Sequence, residues 1–453
     1  MRAPAFVVFG LLSIPVGEAP ASFVPVYGAD VGGAGGNPYL PFEPGRTAGD
    51  GLGIGSVYRA TPTPGTLKSF RWGPNGTVEL SAPSFSRPYG INKTGMAVGT
   101  AGLPVRWDES GVVTELGHLG DPSTGSTTGI ALTINDAGAS AGWVLDYVDD
   151  QPVGNRAVRW DAGHTTATAL DHISTDLNGH GASVAVSINA HGLIAGNGQK
   201  YVNGVDRGTR AVRWAASGTE ATELGILGTS PSGNTNATVY RVNDSGTAVG
   251  YCGLYDGTSS SGKRVPARWD GSGAAATPLL HPDGVKSGYA FDVNNAGTAV
   301  GWVEEYVNTF LTFHAMRWDP GQNVGIPLRG LTNPNAETAA HAINDSGIVV
   351  GLVYDAGGGA FMWLPDGTPV RLNSLIDPAS GWSLYSAIGI SDTNWVTGYG
   401  VFDPDGAGGV AGYDRMFIIQ VPEPRGIAAT CMCALARLSR GHRRRLYAKS
   451  TLS

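Results

Sequence analysis

The chain has 453 residues, of which only 15% are charged and 69 are glycine, a balance that favours many tight turns over long helices. The formal charge of −7 is unevenly placed: the last 33 residues carry +6 and leave −13 on the preceding 420, which argues against nucleic acid as a partner. No stretch between the two ends approaches the roughly 20 apolar residues of a membrane-spanning helix. Cys252 stands alone and Cys431 and Cys433 are a poor bridging pair, so the body has no disulfide framework.

The N-terminus opens with Arg2, an apolar run from Ala5 to Val16, and small residues at Ala19 and Ala21. This is the pattern of a secretory signal peptide over 1–21. Residues 22–46 follow as a Gly/Pro-rich segment, and the repeats occupy 47–420.

Two short signals then alternate. The first is an aliphatic residue, Asn, two residues, Gly, and a small-residue run ending in Gly. Its copies place Asn92 with Gly95, Asn135 with Gly138, Asn189 with Gly192, Asn243 with Gly246, Asn294 with Gly297, and Asn344 with Gly347. A seventh copy carries Ser391 for Asn and Asn394 for Gly, and Gly51–Gly55 is a worn remnant. Asn caps its own backbone in a turn, and Gly supplies the positive φ that a Cβ penalises. The signal therefore predicts a hairpin connection between antiparallel strands. The Asp residues at the next position, such as Asp136, Asp244, Asp345 and Asp392, are read as solvated turn positions.

The second signal is Arg-Trp or a looser form, giving Trp72, Trp107, Trp160, Trp214, Trp269, Trp318 and Trp363, with Phe417 as the last variant. Neighbours on a strand face opposite ways. Trp is therefore expected between sheets, with Arg on the other face stacked on the next sheet's aromatic. The unit is four short strands in about fifty residues. One such sheet cannot bury both faces, and stacking around an axis solves this. The expected fold is an all-β propeller of four-stranded repeats. Seven blades are favoured; eight require residues 47–58 to be a true strand pair.

With His314-Ala-Met-Arg-Trp318, Glu115-Leu-Gly-His-Leu-Gly120 and Ile343–Gly351, the repeats over about 68–420 resemble the HAF-type extracellular repeat family. That resemblance implies an exported bacterial protein with a propeller-like fold and no agreed activity. The chain departs from it by writing Arg-Trp where His-Ala-Phe is usual; only His314 keeps the His. The C-terminus, 421–453, resembles a PEP-CTERM sorting signal: Pro422-Glu423-Pro424, an apolar stretch, then Arg443-Arg444-Arg445. It implies an exosortase-type enzyme as partner. It also implies transient membrane contact through the tail and delivery to the surface or matrix of a Gram-negative-type bacterium. Arg437 interrupts the apolar run Ile427–Leu438, which departs from that pattern.

No metalloprotease, nucleophile-elbow or phosphate-loop motif is present. The carboxylates of 146–151 and 403–409 lack the twelve-residue calcium pattern. No cofactor is expected, with loop calcium as the alternative. Ligand contacts are expected from aromatics between repeats: Tyr147, Tyr201, Tyr255, Tyr306 and Trp382. The expected function is a non-enzymatic surface or matrix module that binds polysaccharide or a surface protein. A secreted propeller glycosidase or lyase and a structural surface-layer protein are the alternatives.

Overall fold

The computed structural model describes residues 23–28, 38–39, 51–59, 66–82, 85–119, 128–149, 151–255, 262–307, 310–331, 333, 336–354, 358–406 and 412–423. Both the signal-peptide segment 1–21 and, in the sorting tail, Pro424 with Arg443, Arg444 and Arg445 lie outside these residues. Pro422 and Glu423 fall within them, without strand structure.

Among the described residues the chain forms eight four-stranded antiparallel sheets. Blade 1 is Pro38–Tyr39, Gly53–Arg59, Thr66–Gly73 and Gly76–Leu80; blade 2 starts at Arg87–Ile91. Blades 3 to 7 start at Gly129–Ile134, Ser183–Ile188, Ala237–Val242, Gly288–Val293 and Glu337–Ile343. From blade 2 to blade 8 the first strand lies innermost and touches the first strand of the next blade. The fold is an all-β, eight-bladed propeller.

The favoured count of seven gives way to eight because the worn stretch at Gly51–Gly55 is a real blade. Gly53–Arg59 pairs with the Trp72 strand along its whole length and takes Pro38–Tyr39 on its other side. The ring closes with strands from both ends of the chain. Blade 8 combines Trp382–Ile390, Trp395–Phe402 and Tyr413–Gln420 with Tyr27–Gly28, where Tyr27 faces Ile418. Phe70, Trp72, Met416 and Ile418 fill the seam between the last and first blades. Strands from 22–46 thus enter the ring, and the propeller unit runs from Val24 to Val421.

The repeat signals have distinct physical duties. Each turn Gly has the expected left-handed backbone, with φ +83° at Gly246, and Asn394 takes its place at φ +63°. The Gly closing the run has another reason. A Cβ on Gly250 would lie 1.8 Å from the Thr238 carbonyl oxygen. The inner strand has a bulge there, between Val239 and Arg241, which brings its backbone against the second strand.

Small residues let the blades approach and Trp fills the seam. Between blades 4 and 5, Ala195 and Ala211 pack with Leu224, Val239, Cys252 and the fully buried Trp269. Burial pushes the Cys252 thiol up to about 11, so it behaves as a small apolar side chain. The seven repeated Trp side chains are all buried. Six also donate Nε1–H to a backbone carbonyl of the segment before the blade, as Trp269 does to Gly225 at 2.9 Å and Trp318 to Leu280 at 3.0 Å.

Candidate functional site

The Asn-Gly turns converge at one end of the axis. Each Asn holds its own turn: Asn243 Oδ1 accepts from Thr247 N–H at 2.8 Å, and Gly246 N–H donates to the Asn243 carbonyl at 3.0 Å. Each also reaches the next blade. Asn92 donates to Asn135 O, Asn135 to Asn189 O, Asn189 to Asn243 O, Asn243 to Asn294 O, Asn294 to Asn344 O, and Asn344 to Ser391 O, at 2.8–3.3 Å. All six Asn are buried. The side-chain amide is therefore used on both ends, which an ionised Asp, having no donor, cannot do.

The Asp residues that follow are not merely solvated. Ala190 N–H donates to Asp244 Oδ1 at 2.9 Å, Asn295 N–H to Asp345 Oδ1 at 2.7 Å, and Asp345 N–H to Asp392 Oδ1 at 2.8 Å. Asn295 does the same service for Asp244 N–H and donates its amide to both Asp244 and Asp345. Asp136, Asp345 and Asp392 are exposed, as expected of turn positions, but the role is more than solvation: each carboxylate or amide also caps the preceding blade. A single chain position cannot reveal this, because the acceptor and donor are about fifty residues apart.

These rings border a cavity of about 420 Å³. Its charges are largely mutually engaged. Lys93 pairs with Asp136 at 2.8 Å, and Arg241 Nε with the buried Asp292 at 3.0 Å. Asp292 also accepts from Val293 and Ile343 N–H. Desolvation pushes the Asp392 carboxyl up, with Asp345 and Asp292 adding like charge against the hydrogen bond from Asp345 N–H.

The arginines of the Arg-Trp signal do not stack on the next blade's aromatic. They donate to carbonyls of its turns. Arg71 binds Gly95 O and Glu109 O, Arg213 binds Gly271 O at 3.1 Å and Asp270 O at 3.2 Å, and Arg317 binds Pro365 O. The guanidinium supplies several donors to a turn whose carbonyls have no strand partner.

One seam breaks the repeat. Spanning blades 5 and 6, six partly buried aromatic rings form an unbroken series. Tyr240 lies 6.1 Å from Tyr251 and 5.5 Å from Phe291; Tyr251 meets Tyr289 edge-on at 5.3 Å. Tyr289 stacks on Phe291 at 5.8 Å and meets Trp302 at 4.9 Å, and Trp302 meets Phe313 at 4.8 Å. Tyr289 and Trp302 face each other directly across the first two strands of blade 6. Exposed Arg264, on the third strand of blade 5, lies over the Tyr289 ring at 5.5 Å. Burial pushes the Tyr240 phenol well above its ordinary range, with Tyr251 and Tyr289 adding to the effect. The positions matching Tyr240, Tyr289 and Trp302 in blade 4 are Val186, Val184 and Asn197. Sequence reasoning missed this group. Its signal was aromatic residues at two matched positions, Tyr240/Phe291 and Tyr251/Trp302, in two successive repeats.

The aromatics expected between repeats do not assemble. Tyr147, Tyr201 and Tyr306 end the second strands of blades 3, 4 and 6, and Tyr255 follows that of blade 5, one per blade. They recur twelve residues after the turn Asn, so they belong to the repeat rather than to its variable parts. Trp382 is in a strand of blade 8, packed on Phe402 at 5.1 Å. Asp146 pairs with Arg156 at 3.7 Å, and among the described residues no cluster of His, Cys, Asp and Glu is arranged to hold a metal ion.

Two polar groups resemble catalytic pairs. The Ser183 hydroxyl accepts from Ala157 N–H at 3.1 Å and shares a hydrogen bond of 3.0 Å with His172 Nδ1. Ser183 is buried, so the pair ties blade 4 to blade 3 instead of presenting a nucleophile. Burial, aided by Arg156, lowers His172 to about 4. Glu305 is held below its ordinary range by Lys286, 3.0 Å away, and lies 3.5 Å from His314.

No family model matches the chain, and no curated protein does. Among solved structures it is similar to TolB from Acinetobacter baumannii at 12% identity and TM-score 0.31, covering 70% of this chain and 62% of that one. It is also similar to the β-propeller domain of the Trilobed protease from Pyrococcus furiosus at 11% identity and TM-score 0.39, covering 85% and 94%. A third similarity is to the polysaccharide lyase Uly1 at 14% identity and TM-score 0.39, covering 84% and 89%. This chain spans about three-fifths of the length of TolB. Identities this low concern architecture, and nothing of those proteins' chemistry carries to this chain.

Proposed function

We propose that this protein is an exported, non-enzymatic binding module of the cell surface or extracellular matrix, and that it holds a polysaccharide on the aromatic seam between blades 5 and 6. The observation that carries the reading is the series Tyr240–Tyr251–Tyr289–Phe291–Trp302–Phe313, an unbroken run of six rings over two successive blades where blade 4 has Val184, Val186 and Asn197 at matching positions. Partly exposed aromatic rings receive the C–H faces of sugars, and phenol hydroxyls beside them can bond sugar hydroxyls. Export is supported by the N-terminal pattern and by the resemblance to HAF-type repeats and to a PEP-CTERM tail, which would engage an exosortase-type enzyme.

The test is calorimetry of the purified full chain against a panel of oligosaccharides, with Trp302→Ala and Tyr289→Ala alongside. We expect at least one ligand whose affinity falls about tenfold to a hundredfold in both variants, in keeping with one lost stacking contact, with melting temperature nearly unchanged. Wild-type affinity in both folded variants overturns the site. Comparing cell fractions with and without residues 421–453 tests location; both forms in the cytoplasm overturn export.

A further inference from the structure

We infer that the aromatic seam selects an acidic polysaccharide, with Arg264 as the residue that reads the carboxylate; this rests on the seam being a sugar site. Most arginines near the seams have acceptors. Arg210, Arg241 and Arg268 face Glu223, Asp292 and Asp270, and Arg213 and Arg317 bind turn carbonyls. Arg264 is different. It is exposed, its guanidinium lies over the Tyr289 ring and bonds to that phenol, and among the described residues no ion pair engages it.

That arrangement is suited to a charged ligand. A guanidinium resting on a phenol face is fixed in plane, and its outward edge keeps paired N–H donors for a carboxylate. The Tyr289 ring is taken by the guanidinium and by Phe291, so a sugar would stack on a neighbouring ring of the series, with its acid group toward the guanidinium. A uronic acid presents both an apolar face and an acid group. Glu304, on the second strand of blade 6, opposes Arg264: its charge reaches Tyr289. It therefore limits affinity for the acid and supplies a control of opposite sign.

The probes are hexameric oligogalacturonate, its methyl ester and neutral cellohexaose, titrated into the full chain. The acid form should bind at least tenfold more tightly than the ester, with that preference shrinking as salt is raised. In Arg264→Gln the preference should disappear while ester binding persists, and Glu304→Gln should tighten the acid form. Equal binding of acid and ester by the wild type, or a preference that survives Arg264→Gln, overturns the inference and leaves the sugar site standing. Binding of none of the three probes overturns both.

Discussion

Asn243 Nδ2 donates to the main-chain carbonyl of Asn294, 51 residues away, at 2.8 Å, while its Oδ1 closes its own turn on Thr247 N–H. One amide thus joins a local and a long-range duty, and the same double use runs from blade 2 to blade 7. It separates the contributions that substitution can test.

Asn243→Ala removes both bonds from a buried position and leaves the Asn294 carbonyl without this partner. A loss of about 2 kcal/mol in unfolding free energy is expected. Asn243→Asp keeps the acceptor for Thr247 but sets a buried carboxylate against the Asn294 carbonyl, so denaturant unfolding should place it no higher than the Ala variant. Equal stability of the Ala variant would mean the amide chain contributes nothing.

Asp244→Ala tests the capping role of the second turn position. Ala190 N–H and the Asn295 amide lose an acceptor at a partly exposed site, and ~1 kcal/mol is expected. Thermal melts of Asp244→Ala against Glu220→Ala, an exposed acid with an ordinary backbone, should show the larger drop at 244.

Gly246 and Gly250 differ in why they are glycine. Gly246→Val meets its nearest atom at an ordinary 3.4 Å, so only the positive φ resists it, at about 1–2 kcal/mol. Gly250→Ala drives a Cβ into the Thr238 carbonyl and should cost more than about 3 kcal/mol or prevent folding. Chemical denaturation that ranks the two in the opposite order would overturn the bulge explanation.

His172 makes stability depend on pH. Its folded value of about 4 lies below the ordinary 6.5, so the neutral ring is favoured in the fold. The contribution is complete above pH 6.5 and is lost as pH falls toward 4, worth ~1–2 kcal/mol after allowing for solvent screening. Melting temperature followed from pH 7.5 to 4 should fall more steeply for wild type than for His172→Gln, which keeps an acceptor for Ser183.

The sequence by itself determined the repeat unit, its four strands, the turn residues and the burial of Trp, because each is set by local backbone demands or by which side chains must leave water. Trp269 and Gly246 were legible in that way. Blade number was not: the blade containing Gly53 lacks the Asn-Gly turn signal, and only pairing across to Trp72 and Tyr39 makes it a sheet. Nor was the work of Asp244 or Arg213, whose acceptors and donors sit on the following or preceding blade. The aromatic seam is the sharpest case. Tyr240, Tyr289 and Trp302 are spread over 63 residues and look like ordinary strand aromatics; ring closure stacks two successive repeats and turns repeated positions into one surface. Local chemistry is written residue by residue, whereas a surface shared by two blades exists only once the chain has come round its axis.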